Sequence, residues 1–120
     1  MKINLRKKNN RTLAVLKKQL TNVLEKKFNK NNIIVAYEPI WSIGTGKIPG
    51  AEELKKTTVH IKKILKNIFK KNSPAVLYGG SVDGTNVEMF KQITEIDGFL
   101  IGGASKSSKK FIDIIKNYYR

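Results

Sequence analysis

Val35–Lys47 reads VAYEPIWSIGTGK: an apolar run ends in a glutamate set against a proline, then breaks into Gly-Thr-Gly. Two later stretches share this shape. Ala75–Val82, AVLYGGSV, and Gly98–Ser105, GFLIGGAS, also run apolar and stop at small residues. Short apolar runs bounded by glycine or proline mark buried strands. Small residues at a strand's end let backbone N–H groups come close to an anion.

Working outward from these three stretches gives the order of elements. Before the first, Leu13, Leu16, Leu20, Val23, Leu24 and Phe28 recur at helical spacing, which predicts an amphipathic helix from Thr12 to about Phe28. Ile33 to Tyr37 reads as a strand apolar on both faces, hence buried on both. Gly50 is a helix cap, and Glu52 and Glu53 sit where the helix dipole favours them. The second helix runs to about Lys70, with Leu54, Ile61, Leu65, Ile68 and Phe69 inward. Ala75 to Tyr78 is the second strand. A short helix from Asn86 to Ile93 and a strand from Phe99 to Ile101 follow. A last helix spans Ser107 to Tyr119, with Phe111, Ile112, Ile115 and Tyr119 available to pack. Strands alternating with helices predict a parallel sheet, with ligand groups gathered at the carboxyl ends of the strands. All three opening stretches end there.

Composition narrows the function classes. At 120 residues with 40% apolar content, the chain reads as one domain, residues 1–120. It has no cysteine, which excludes disulfides and thiolate metal sites and fits a reducing cytoplasm. The opening MKINLRKKNN lacks the apolar core of a secretory signal. No run approaches the length of a membrane span. The net charge of +15 raises nucleic-acid binding as a possibility. Only three of the 24 basic residues are arginine (Arg6, Arg11, Arg120), however, and the lysines scatter over every predicted helix. Base and phosphate recognition favours clustered arginine, so neither nucleic acid nor membrane is an expected partner. A Lys-, Asn- and Ile-rich composition follows equally from an AT-rich genome.

Taken together, AYEPIWSIGTGK, LYGGSV and DGFLIGGAS, in this order and spacing, resemble the carboxyl-terminal part of the triosephosphate isomerase family. The resemblance covers essentially the whole chain. It implies a partial (β/α)8 barrel, strands six to eight with their helices, and the amino-terminal half absent. It implies an isomerase that interconverts dihydroxyacetone phosphate and glyceraldehyde 3-phosphate, without cofactor or metal, as a cytoplasmic homodimer. Glu38 matches the catalytic base. Gly44, Ser81, Gly102 and Gly103 match the phosphate grip, the glycine pair opening a short helical turn. Pro39 and Trp41 resemble the stiff hinge of a lid, and Thr45, Gly46 and Lys47 its second hinge. This family is itself a standard example of lid closure over substrate. Tyr78 resembles a latch on the closed lid, or else packs in the core. His60, mid-helix, reads as packing or surface.

Two departures stand out. Pro49 occupies the position where the latch meets a backbone N–H, and proline has none. Lys106 replaces a leucine just past the last strand. The larger departure is the absence of the family's lysine after strand one and its histidine after strand four, the electrophiles. Losing one electrostatic stabiliser costs on the order of 10²–10³ in rate, so the isolated chain is expected to be inactive unless a partner chain supplies the first five strands. Three strands also leave two open edges and an uncovered inner face, so the chain alone is expected to fold poorly or to associate. The alternative to an isomerase is a non-catalytic phosphate-binding remnant.

Overall fold

The three apolar stretches form one parallel sheet in the order β1-β2-β3, with β1 at Ile34–Tyr37, β2 at Ala75–Gly80 and β3 at Gly98–Ile101. The computed structural model describes residues 11–24, 32–39, 48–70 and 73–120. Helices α1 (Arg11–Val23), α2 (Ala51–Phe69), α3 (Val87–Phe90) and α4 (Ser108–Tyr118) alternate with the strands, and a 3₁₀ turn, Gly103–Lys106, precedes α4. The register sets Tyr37 beside Tyr78 and Tyr78 beside Phe99. These three side chains share one face by the two-residue period of a strand.

That face carries the core. Tyr78, Val82, Val87, Phe90, Ile93, Ile96, Leu54 and Ile114 form one buried cluster. Tyr78 stacks on Phe90 with ring centroids 4.7 Å apart, and Phe90, Phe99 and Tyr118 extend the aromatic contact to α4. A second cluster of Ile61, Leu65 and Val76 takes Leu16, Leu20 and Leu24 from α1. His60 Nε2 lies 3.2 Å from the Leu13 carbonyl oxygen, so His60 joins α2 to α1. Helix α2 begins after Gly50, with Glu52 and Glu53 in its first turn.

Three expectations change. First, β1 is not buried on both faces. Val35 and Tyr37 pack toward the helices, whereas Ala36 is exposed and Ile34 is 68% exposed. The opposite face of the sheet has no layer over it among the described residues, and Leu100 of β3 is 47% exposed there. Second, α4 buries Ile114, while Phe111, Ile112, Ile115 and Tyr119 are exposed. The helix carries apolar side chains on two faces, and only one meets this chain's own core. Third, the short helix is four residues long. Upstream of it Asp83 Oδ1 accepts the N–H groups of Thr85 (2.8 Å) and Asn86 (2.7 Å), a side-chain-closed turn that delays the helix. The helix expected to reach Phe28 ends at Val23, and residues 25–31 lie outside the described ones.

Candidate active site

The carboxyl ends of the strands open onto a cleft of about 1060 Å³, whose lining includes Glu38, Ser81, Gly102 and Gly103. Four of the residues singled out from sequence, dispersed over 66 positions of chain, therefore meet in one place. Each arrives there because its strand ends there. Glu38 follows β1 directly, and the Tyr37–Tyr78 pairing brings it abreast of Gly79. A Cβ on Gly79 would lie 2.7 Å from Glu38 Cγ and 2.9 Å from its Oε1. The glycine is thus required by the carboxylate itself: the Glu38 side chain lies across a strand surface that only a hydrogen leaves free.

Ser81 is held by a small polar scaffold. The Asn86 side-chain amide donates to the Ser81 carbonyl at 2.7 Å and its Oδ1 accepts from the Asp83 N–H at 2.8 Å. The Asn117 amide of α4 donates to the Gly84 carbonyl, which ties this loop to the last helix. The sequence did not single out Asp83, Asn86 or Asn117 as site supports, although the Asp-Gly-Thr-Asn run is a recognisable turn signal. At the third strand, Gly102 precedes the 3₁₀ turn Gly103–Lys106. Both glycines are exposed, and a Cβ on either would meet nothing within 4 Å. Among the described residues, nothing comes within 4 Å of that position.

The lining also includes two cations, Lys106 and Lys110, and two further carboxylates, Asp83 and Asp113. The Asp83 carboxylate is engaged by its own turn, whereas Lys106 and Lys110 make no ion pair among the described residues. The cationic side of the cleft therefore follows the glycine pair in sequence, and Glu38 comes from the other end of the sheet. This arrangement can hold a small anion at one end and present a carboxylate at the other.

Other expected site residues fall elsewhere. Pro39 is buried, as is Pro49. Tyr78 is 1% exposed, packed on Phe90 and outside the cleft lining. Next to it, the Tyr37 phenol is pushed up to about 12, first by burial and then by the Glu53 carboxylate and the Tyr78 phenol. Trp41, Gly44, Thr45, Gly46 and Lys47 lie outside the described residues. Among the described residues no three His, Asp or Glu side chains are grouped to hold a metal ion, and no helix is long and apolar enough to cross a membrane.

At the base of the sheet, away from the cleft, Asp97 clamps β2 to the turn before β3. Its Oδ2 accepts the Val76 N–H at 2.8 Å, its own N–H donates to the Val76 carbonyl at 2.9 Å, and Lys62 Nζ reaches the carboxylate at 3.2 Å.

Known proteins share both the sequence and this geometry. Residues 3–118 match the triosephosphate isomerase family. Triosephosphate isomerase of Chlamydia abortus is 39% identical over 112 residues, which cover 91% of this chain and 44% of that relative. The Saccharomyces cerevisiae enzyme is 40% identical over 114 residues, covering 92% and 46%. The crystal structure of triosephosphate isomerase from Bartonella henselae superimposes with a TM-score of 0.83 at 30% identity, over 96% of this chain and 46% of that one. The chain spans less than half the length of the curated relatives it matches, and its three strands and their helices form part of a TIM barrel. This chain belongs to the triosephosphate isomerase family.

Proposed function

We propose that the cleft binds a triose phosphate and contributes to the interconversion of dihydroxyacetone phosphate and glyceraldehyde 3-phosphate. The observation that supports this is the meeting of Glu38, Ser81, Gly102 and Gly103 on one cleft, with Gly79 clearing room for the carboxylate. Glu38 removes a proton from the carbon beside the carbonyl. The electron pair moves to the carbonyl oxygen, giving an enediol(ate); the proton of the adjacent hydroxyl passes to that oxygen, and the carbon-bound proton returns to the neighbouring carbon. Bonds and electrons balance within the substrate, so the step consumes no cofactor. Ser81 and the N–H groups of Gly102 and Gly103 hold the phosphate, joined by Gly44 from the lid. Pro39, Trp41, Thr45, Gly46 and Lys47 serve as the lid's hinges, and Tyr78 as its latch. The setting is cytoplasmic glycolysis and gluconeogenesis, in a homodimeric whole enzyme.

The chain brings a base and an anion grip but not the family's two electrophiles. Turnover therefore requires the first five strands of the barrel as well. The test is an isomerisation assay on the 120-residue chain alone and mixed with an amino-terminal half-barrel. Activity is expected only in the mixture, and Glu38→Gln should lower it by at least about 10²-fold, as loss of a general base does. A mixture that assembles, binds glycerol 3-phosphate and does not isomerise would leave a phosphate-binding remnant.

A further inference from the structure

The cleft that offers an anion grip has more acidic than basic side chains on its lining. Glu38, Asp83 and Asp113 line it, and the opposing charges among the described residues are Lys106 and Lys110. Without those two lysines every charged side chain there would be a carboxylate, and a phosphate dianion would enter against the field of all three. The glycine pair offsets this only in part, because backbone N–H groups carry partial charge. Both lysines are placed to supply the rest. Lys106 ends the 3₁₀ turn that Gly103 opens. Residues three apart in such a turn stand one above the other, so Lys106 shares the face of Gly103. The Ser105 N–H closes the turn by donating to the Gly102 carbonyl at 2.9 Å. Ser107 follows, and its Oγ accepts the Lys110 N–H at 3.3 Å. This cap starts α4 directly after Lys106 and brings Lys110 onto the same lining.

Both lysine side chains are exposed, and neither makes an ion pair among the described residues. The Asp83 carboxylate is taken by the N–H groups of its own turn. Asp113 sits against the β2 loop, where a Cβ on Gly84 would lie 3.2 Å from its own Cβ. Lys110 lies in the first turn of α4, where the helix dipole disfavours a cation, so helix stability does not account for it. Resting on the reading above, we propose that Lys106 and Lys110 are phosphate-binding residues of this chain. Their ammonium groups meet the phosphate held by the Gly102 and Gly103 N–H groups and cancel the carboxylate field around it. The contact lies outside the grip that the family resemblance implies, since Lys106 stands where the family pattern has leucine. Lysine suits the task, because a compact charge on a flexible stem meets a phosphate without a fixed fork. The phosphate is the same in substrate and transition state, so the two lysines lower KM and leave kcat alone.

The probe is glycerol 3-phosphate, titrated calorimetrically into the full 120-residue chain at low and at physiological ionic strength. Lys106→Met and Lys110→Met should each weaken binding by about threefold to fivefold, the upper range for an exposed ion pair, and the double variant by about tenfold. Lys106→Arg keeps the charge and should stay within about twofold of wild type. Lys109→Met removes the same charge one position from Lys110 but off the lining, and should leave the affinity unchanged. Salt should weaken wild-type binding more than that of the double variant. Circular dichroism should match wild type throughout, since all three lysines are exposed. In the complemented barrel of the assay above, the double variant should raise KM and keep kcat. Undiminished binding by the double variant, an equal loss in Lys109→Met, an unchanged salt dependence, or a fall in kcat at constant KM would each overturn the proposal. Binding that Ser81→Ala weakens and the lysine variants do not would overturn it and leave the proposed function standing. Lysine-dependent binding in a complemented barrel that never isomerises would overturn the catalytic reading and leave the lysine contact standing.

Discussion

Gly79→Ala separates the position of the base from the stability of the fold. The added Cβ would meet Glu38 Cγ at 2.7 Å, Oε1 at 2.9 Å and Cδ at 3.2 Å. Real Cβ atoms do not come this close, so the Glu38 side chain must move. Glu38 is exposed and has room to swing toward solvent. Overpacking therefore falls at the low end of its usual range, about 1 kcal/mol. Gly79 lies outside the left-handed region, so alanine also stiffens the unfolded chain and returns about 0.4–1 kcal/mol. The two effects nearly cancel, and Tm should move by no more than about 5 °C. The carboxylate, however, ends an ångström or more from its present position. A displacement of about 1 Å costs on the order of 10²-fold in a positioned reaction. In the complemented barrel, kcat should fall by about that factor. KM should barely change, because Ser81 and the glycine pair are untouched. A variant with wild-type kcat would refute the argument that Gly79 is kept for Glu38. A loss of more than about 3 kcal/mol would refute the argument that Glu38 is free to yield.

Ser81→Ala should weaken glycerol 3-phosphate binding by about tenfold or more, the loss of one hydrogen bond to a charged group, as read by calorimetric titration. Asp97→Ala strands the half-buried Val76 N–H and should cost about 1–3 kcal/mol in urea unfolding. Lys62→Ala should cost under about 1 kcal/mol, because that ion pair is largely solvated. The Tyr37 phenol, raised from 10.0 to about 12, is neutral in both folded and unfolded chains below pH 10, so its contribution is then fully present. Above pH 10 the unfolded chain ionises first, and roughly 2–3 kcal/mol of stability should drain away as pH rises toward 12. Tyr37→Phe should remove that part of the alkaline loss, with phenolate absorbance and unfolding followed together.

The strand ends were legible because their signal is local. An apolar run closed by Glu-Pro or Gly-Gly states where a strand stops, and in a parallel sheet the stops gather at one edge. Glu38, Ser81, Gly102 and Gly103 could thus be brought to one cleft from sequence. The 3₁₀ turn at Gly103–Lys106 fell where a short helical turn was expected. The supports were less legible. Asp97, read alone before a glycine, looks like an ordinary turn residue, and its bond to Val76 spans 21 positions that no local pattern connects. Asp83 and Asn86 reveal their roles only once the turn they close is seen.

The two errors in burial share one cause, and it is informative. Ile34–Tyr37 is apolar on both faces, and the residues from Phe111 to Tyr119 are apolar around most of α4. Periodicity reports how many neighbours an element was selected to have, not how many are present. In this chain the helix layer covers one face of β1, and the core takes one face of α4 through Ile114. The surplus apolar residues mark the faces that meet no neighbour among the described residues: Ile34 and Leu100 on the open face of the sheet, and Ile112, Ile115 and Tyr119 along and just past α4.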